Sequence, residues 1–315
     1  MINDLNKTEA YKNLRVVLDD IKALRIQGAT AVAVEGIQAF ARYADEIAPH
    51  FDDMKKLNEH LSERSDEVKL IRVTEPALQN GLRYVQQQII EHGIKSAIPA
   101  GKTYKNILEE AKVKVGRIGA EKILDGSTIM THCHSSFVDA IFAEAINMGK
   151  EFRIVNTETR PLYQGRKTAK KVLEKGIELI HVVDSAMWWA MHKFDVDLVL
   201  LGADAATVEG TALNKIGSRL LALSSMELHV PLYICTSLLK YNPETSLGRL
   251  SEIEMRDEDE IWPERPEANI NIFNPAFETI SPQYIAAFIT EYGLIPPQLI
   301  SHSFETNILS GLFKK

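Results

Sequence analysis

Ser127-Thr-Ile-Met-Thr-His-Cys-His-Ser-Ser-Phe-Val-Asp-Ala-Ile-Phe-Ala-Glu-Ala-Ile-Asn147 is where the chain changes rhythm. Ser127 to Thr131 predicts a short strand, and Phe137 to Asn147 predicts a helix that ends at Gly149. The same alternation then repeats. Phe152 to Asn156 reads as a strand before a helix over Lys167 to Lys175, ended by Gly176. Leu179 to Asp184 reads as a strand before a helix around Ala186 to His192. Asp197 to Gly202 is the next strand, followed by a helix from Asn214 to Glu227 and a strand at Leu232. Short apolar strands alternating with helices at this spacing predict βαβ units and a parallel sheet. No Gly-x-Gly-x-x-Gly follows the first strand, so no nicotinamide dinucleotide is implied.

Upstream of this segment the pattern is helical. Tyr11 to Leu24 spaces its apolar residues at three and four, and Ala31 to Ala44 is rich in small residues. Met54 to Leu70, Pro76 to His92 and Tyr104 to Leu124 continue the pattern, with Pro76 and Gly93 as boundaries. The expected fold class is therefore α/β: an N-terminal helical domain, then a Rossmann-like parallel sheet without the dinucleotide fingerprint. The domain boundaries expected are 1–122 for the helices and 123–315 for the α/β catalytic domain.

Composition narrows the function. Hydrophobic residues make up 45% and charged residues 25% of the 315, the balance of a globular protein. A formal net charge of -7 argues against a dedicated nucleic-acid or membrane-surface protein, while leaving room for a local basic phosphate pocket. No apolar run reaches the roughly 18 residues of a membrane span, and the first residues lack a signal-peptide stretch, so cytoplasm is the expected location. The two cysteines, Cys133 and Cys235, are too few for a disulfide scaffold and read as reduced thiols. Cys235 lies in an apolar strand and reads as a small core residue.

In open parallel sheets ligands bind beyond the carboxyl ends of the strands. That rule selects His132-Cys133-His134-Ser135-Ser136, Thr157-Glu-Thr-Arg160, Gly202-Ala-Asp204 and the segment from Thr236 to Lys240. A thiol, a carboxylate, an arginine and a lysine thus converge on one sheet edge. Cys133 just before a helix N-terminus is placed to be a thiolate, further favoured if His132 or His134 is protonated, and so to act as base or nucleophile. A buried structural cysteine is the alternative. A metal site on His132-Cys133-His134 is disfavoured, because adjacent residues of an extended segment point to opposite faces and no second Cys/His pair follows at zinc spacing. No metal and no cofactor is expected. His181 and His192 read as structural.

Asp204, held at a strand tip behind Leu-Val-Leu-Leu-Gly-Ala, is a candidate general acid or, equally, a turn or cap residue. Asn214-Lys215 at the opening of a helix and the Gly28-Ala29 turn before the Ala31 helix are weak phosphate signals. The acidic run from Glu252 to Glu260 reads as a solvated segment.

At these residues the sequence resembles a known superfamily. The motifs are Met130-Thr-His-Cys-His-Ser, Thr157-Glu-Thr-Arg-Pro-Leu-Tyr-Gln-Gly-Arg-Lys-Thr-Ala, Gly202-Ala-Asp and Asn214-Lys-Ile-Gly. The superfamily joins ribose-1,5-bisphosphate isomerase, methylthioribose-1-phosphate isomerase and the alpha, beta and delta regulatory subunits of a eukaryotic initiation-factor exchange complex. Glu252-Ile-Glu-Met-Arg-Asp, Asn274-Pro-Ala-Phe and Gly293-Leu-Ile-Pro-Pro are most similar to the archaeal-type bisphosphate isomerase.

The resemblance implies an aldose–ketose isomerase in which Cys133 removes a proton from sugar C2 and Asp204 serves the sugar oxygens as acid. It implies substrate contacts at Gly28, Ala29, Ser135, Arg160, Asn214, Lys215 and Lys240, with Arg160 either touching substrate or supporting the loop. It also implies a phosphosugar substrate, AMP as an activator, and a homodimer or homohexamer. Two departures bear on the substrate: Gln27-Gly-Ala-Thr30 stands where the bisphosphate isomerases carry Arg-Gly-Ala-Gly, and Thr74-Glu-Pro76 where they carry Thr-Arg-Pro. Each removes a fixed cation suited to phosphate. The alternatives are an isomerase of another ribose 1-phosphate derivative and a non-catalytic, initiation-factor-like regulatory subunit.

Overall fold

The computed structural model describes residues 5–247, 253–266 and 269–313. Glu252, the first residue of the acidic run, lies outside them. The chain forms two compact units, Met1–Glu110 with Phe304–Lys315, and Ala111–Ser303. The boundary falls inside a long helix rather than after it, and the last residues group with the helices.

The first unit is helical: α1 (Glu9–Lys22), α2 (Ala29–Ile47), α3 (Met54–Ile71), α4 (Pro76–His92) and the first turns of α5 (Ala97–Ala120). Local chemistry sets the ends. Thr8 accepts the Tyr11 amide at the start of α1, Asp53 accepts that of Lys55 before α3, and Pro76 opens α4 where no N–H is needed. Gly93, at φ +80, closes α4 and returns its N–H to Ile89. Leu14, Leu18 and Ile21 of α1 are buried, as are Ile37, Phe40 and Ile47 of α2. Each such side chain contributes about 1.5–3 kcal/mol on leaving water. Gly81 lets α4 meet α2, because a Cβ there would lie 2.0 Å from the Ile37 Cδ1.

The second unit carries a seven-stranded sheet. Its strands are β1 (Thr128–Thr131), β2 (Arg153–Thr157), β3 (Glu178–Val182), β4 (Leu198–Gly202), β7 (Leu232–Cys235), β9 (Ala287–Thr290) and β10 (Gly293–Ile295). The order is β10-β9-β7-β4-β1-β2-β3, and every pairing is parallel except that of β10 with β9. Residues of β1 and β4 are buried throughout, as expected for parallel strands covered on both faces. The helices between strands are α6 (Ser136–Asn147), α7 (Gln164–Glu174), α8 (Met187–Lys193) and α9 (Ser218–Glu227), with α10 (Ile300–Phe304) near the end. The last turns of α5 pack on α6: a Cβ on Gly119 would sit 2.3 Å from Ile141 Cδ1.

The Rossmann-like expectation holds for β1 to β4, each within two residues of the predicted bounds, and for the strand expected at Leu232, where β7 begins. A second sheet was not anticipated. It pairs β5 (Ala205–Ala206), β6 (Ala212–Lys215) and β8 (Phe277–Ile280) antiparallel. Asn214 and Lys215 therefore end a strand, and do not open a helix; α9 begins at Ser218 after Gly217 turns the chain at φ +100. No described helix is long and apolar enough to cross a membrane. The described part of the acidic run is largely exposed, as expected of a solvated segment, and Arg256 within it pairs with Glu254 at 3.0 Å and Glu260 at 2.6 Å.

Candidate active site

The strand order reverses between β1 and β4: β2 and β3 lie on one side, β7 and β9 on the other. A crevice forms at such a switch point because the two flanking loops leave in opposite directions. Cys133 leaves the end of β1, and Asp204 leaves the end of β4. Gly202 brings these loops together, since a Cβ on it would lie 2.6 Å from both Cβ and Oγ of Ser135. Ser135 is also the N-cap of α6, accepting the Val138 amide at 3.4 Å.

Cys133 has φ +66, and Thr159 on the neighbouring loop has φ +63. A side chain in this left-handed region costs about 1–2 kcal/mol and persists only if the surroundings hold it. Here both backbone groups of Cys133 are held. Its N–H donates to Thr159 Oγ1 at 2.9 Å, and its carbonyl accepts from Thr168 Oγ1 at 2.8 Å. Thr168 spends its only hydrogen there, so its contact with His134 Nδ1 at 3.0 Å is a bond donated by the imidazole. His132 lies on the other side. Its Nε2 donates to the Ile216 carbonyl at 2.8 Å, which leaves Nδ1 to accept from the Thr157 hydroxyl. A Cβ on Gly217 would come within 2.8 Å of that ring.

The electrostatics correct an expectation. The Cys133 thiol is pushed up to about 11, first by burial and then by Asp204 and Asp184, with Lys215 and the His134 amide acting the other way. Burial wins because α6 starts three residues later and its end is already capped by Ser135. Nor are the histidines protonated partners. Burial lowers His132, and burial with Lys167 and Lys171 lowers His134 to about 4.

Lys215 is half-buried, with Nζ 4.6 Å from the centre of the Phe277 ring, and its charge reaches both Cys133 and His132. Asn214 is buried and donates Nδ2 to Ser218 Oγ at 2.8 Å. Lys240 is 5% exposed, and its Nζ donates to the Ala203 carbonyl at 2.8 Å, beneath the Asp204 loop. Arg160 donates to Tyr163 Oη at 2.8 Å and to the Ile261 carbonyl at 3.1 Å, so its guanidinium ties its own loop to a later segment. The amides at the start of α9 are taken by Glu278, which accepts from Gly217 at 2.5 Å and Arg219 at 2.9 Å. A phosphate on Lys215 would thus meet the side chain, not this helix end.

Gly28 and Ala29 belong to the helical unit. Gly28, at φ +86, precedes α2 without a side-chain cap, leaving the first amides of that helix open to an anion. Gln27 is exposed and donates to the Leu24 carbonyl, Arg25 pairs with Asp20 at 2.6 Å, and Glu75 is buried. His181 bonds Asn156 Oδ1 at 2.8 Å, His192 stacks on Trp188, and Cys235 is fully buried with its thiol pushed far up.

Sequence reasoning passed over Thr159, Thr168, Asp184 and Glu278, which hold the loops in place. Asp184 lies one residue beyond the end of β3 plus Val183, so the strand-end rule applied to β3 would have found it.

A family model described as the initiation factor 2 subunit family matches residues 25–297. The ribose 1,5-bisphosphate isomerase of Thermococcus kodakarensis is 37% identical over 303 residues, covering 91% of this chain and 92% of that protein. The same-named protein of Pyrococcus furiosus is 37% identical over 295 residues, covering 89% and 90%. Among solved structures, the Pyrococcus horikoshii translation initiation factor eIF-2B superposes with a TM-score of 0.78 at 28% identity, covering 90% of this chain and 97% of that one. With the match running from the start of α2 through the last strand of the large sheet, the chain belongs to the initiation factor 2 subunit family.

Proposed function

We propose that the protein is a cytoplasmic homo-oligomer that converts ribose 1,5-bisphosphate to ribulose 1,5-bisphosphate, with Cys133 and Asp204 each exchanging protons with the sugar. The observation that carries this is the meeting of their two loops at the switch point, through Gly202 and Ser135, in a chain 37% identical to proteins named for that reaction.

A sugar phosphorylated at O1 cannot open as a free hemiacetal does, so its ring oxygen needs a proton as the C1–O bond breaks. Asp204 as the acid supplies that proton while the Cys133 thiolate takes the hydrogen of C2, giving an enol that bears the phosphate on C1. The carboxylate then takes the proton of the C2 hydroxyl, and the thiol returns its proton to C1. Both groups end as they began, and no electron acceptor is needed. A thiol near 11 enters this cycle as thiolate only with help from a neighbouring charge, and Lys215 is a cation that favours the anion. Ser135, Asn214, Lys215 and Lys240 serve as substrate contacts and Arg160 as loop support; Gly28 and Ala29, within the helical unit, are candidates by themselves for holding a phosphate.

The test is direct. Purified protein is incubated with ribose 1,5-bisphosphate, with and without AMP as activator, and the ketose is followed beside Cys133→Ser and Asp204→Asn. Each substitution is expected to lower kcat by about 100-fold or more. Absence of wild-type turnover refutes the proposal. Turnover of a different ribose 1-phosphate derivative alone would fit the exposed Gln27 and buried Glu75, and would move the substrate but not the chemistry.

A further inference from the structure

Asp184 takes no part in the proton transfers above, yet it is bound into the loop beside them. It begins the short 3-10 turn after β3, and its side chain is about a quarter exposed, at 24%. Its two oxygens are used separately. Oδ1 accepts the amide of Thr159 at 2.8 Å, and Oδ2 accepts the amide of Arg160 at 2.6 Å. Oδ1 also lies 3.8 Å from His132 Nδ1. Thr159 is fully buried, and its hydroxyl oxygen is the acceptor for the Cys133 amide.

We propose that Asp184 is a positioning residue for Cys133, acting through Thr159: the carboxylate fixes two consecutive amides of the β2–α7 loop, and the Thr159 hydroxyl then holds the backbone of Cys133. The inference rests on Cys133 being the reacting thiol. Three observations carry it. Cys133 and Thr159 both have positive φ, so neither loop is in a conformation its own residues prefer. A carboxylate is the side chain that offers two acceptors and no donor to two adjacent N–H groups; an asparagine would turn its NH2 toward one of them. Finally, the charge of Asp184 works against a thiolate at Cys133. Lys215 on β6 favours that anion, whereas Asp204 after β4 and Asp184 after β3 oppose it, and His132 and His134 are neutral. A carboxylate that hinders the chemistry electrostatically contributes through the geometry it imposes.

The test follows the thiol directly, independent of turnover. Alkylation of Cys133 by iodoacetamide is measured against pH by peptide mass spectrometry in the wild type, Asp184→Asn, Thr159→Val and Thr159→Ser. Circular dichroism reports folding. Thr159→Val keeps the shape of the side chain and removes its hydroxyl, which accepts from the Cys133 amide and lies 3.5 Å from His132 Nδ1, so it serves where Asp184→Asn does not fold. The expected result is that the labelling curves of Asp184→Asn and Thr159→Val move to lower pH, with labelling about fivefold or more faster at pH 8, as the loosened loop relieves the burial of the thiol. Thr159→Ser restores the wild-type curve. In the isomerase assay Asp184→Asn and Thr159→Val lose about 10- to 100-fold in kcat with KM within about twofold, as expected for a misplaced reacting group. Labelling curves of folded Asp184→Asn and Thr159→Val that superimpose on the wild type overturn the proposal. Shifted curves in a protein that lacks isomerase turnover sustain the positioning role and refute the assigned reaction instead.

Discussion

Gly202 and Ser135 pack so closely that the loops bearing Asp204 and Cys133 leave no space for a side chain between them: a Cβ on Gly202 would fall 2.6 Å from the Ser135 side chain. Gly202 is the last residue of β4 and Ser135 caps α6. One contact therefore sets the width of the crevice and the start of the helix behind it.

Gly202→Ala is accordingly expected to push Ser135 off its capping position. Overpacking at such a site costs about 1–3 kcal/mol, and loss of a serine cap about 1 kcal/mol. Urea unfolding should show a lower midpoint, and turnover should fall at least tenfold while the far-UV spectrum is retained. An unchanged midpoint would mean that the two loops move apart freely.

Five strands of the large sheet were legible because each is a short apolar run, with glycines closing the helices after β1 and β2; β9 and β10, which pair as a hairpin with no helix between, were not read. Pro76–His92 was read to the residue, since proline and glycine mark both ends. The small sheet was not legible. β5 has two residues, β6 has four, and β6 finds its partner β8 in a distant part of the chain, with Leu213 opposite Thr279. Local periodicity carries no trace of such pairing. The strand-end rule singles out the Cys133 and Asp204 loops, which the fold sets side by side, but the helix-dipole argument misjudges the thiol. It counted a nearby helix end and not the burial that outweighs it. Glu278 escaped because it acts on backbone amides, for which no side-chain motif exists, whereas Asp184 escaped because it was counted as the last residue of its strand.

Lys215 should control the titration of Cys133. Lys215→Met keeps a long unbranched side chain beside Phe277 and removes the positive charge that lowers the thiol. The thiol should then titrate above about 11, and its alkylation at pH 9 should slow by about fivefold. Asp204→Asn should act oppositely. The measurement is the same labelling reaction, and Cys235 contributes no background because it is fully buried.

Gly217→Ala should disturb His132. The alanine Cβ would meet the imidazole at 2.8 Å, and φ +100 is a conformation that alanine resists. The Nε2–H bond to Ile216 would lengthen, and with it the anchor between the Cys133 loop and the turn that follows Lys215. We expect a stability loss of about 2 kcal/mol or more by urea titration. An NMR signal of the His132 ring unaltered from wild type would contradict this anchor.

Acid should loosen the same loop through His134. Its imidazole is lowered to about 4, chiefly by burial, against an ordinary value of 6.5. The folded protein therefore binds fewer protons at this site than the unfolded chain between those limits. The stability that His134 contributes as a neutral donor to Thr168 is present above pH 6.5 and is lost as the pH falls toward 4. His134→Asn keeps a donor for Thr168 and has nothing to protonate. Its urea midpoint should fall less than that of the wild type between pH 6.5 and 4, while the two proteins stay close at pH 7.5. Parallel falls in both would place the acid sensitivity at other groups, and His134 would then be a donor without a titration.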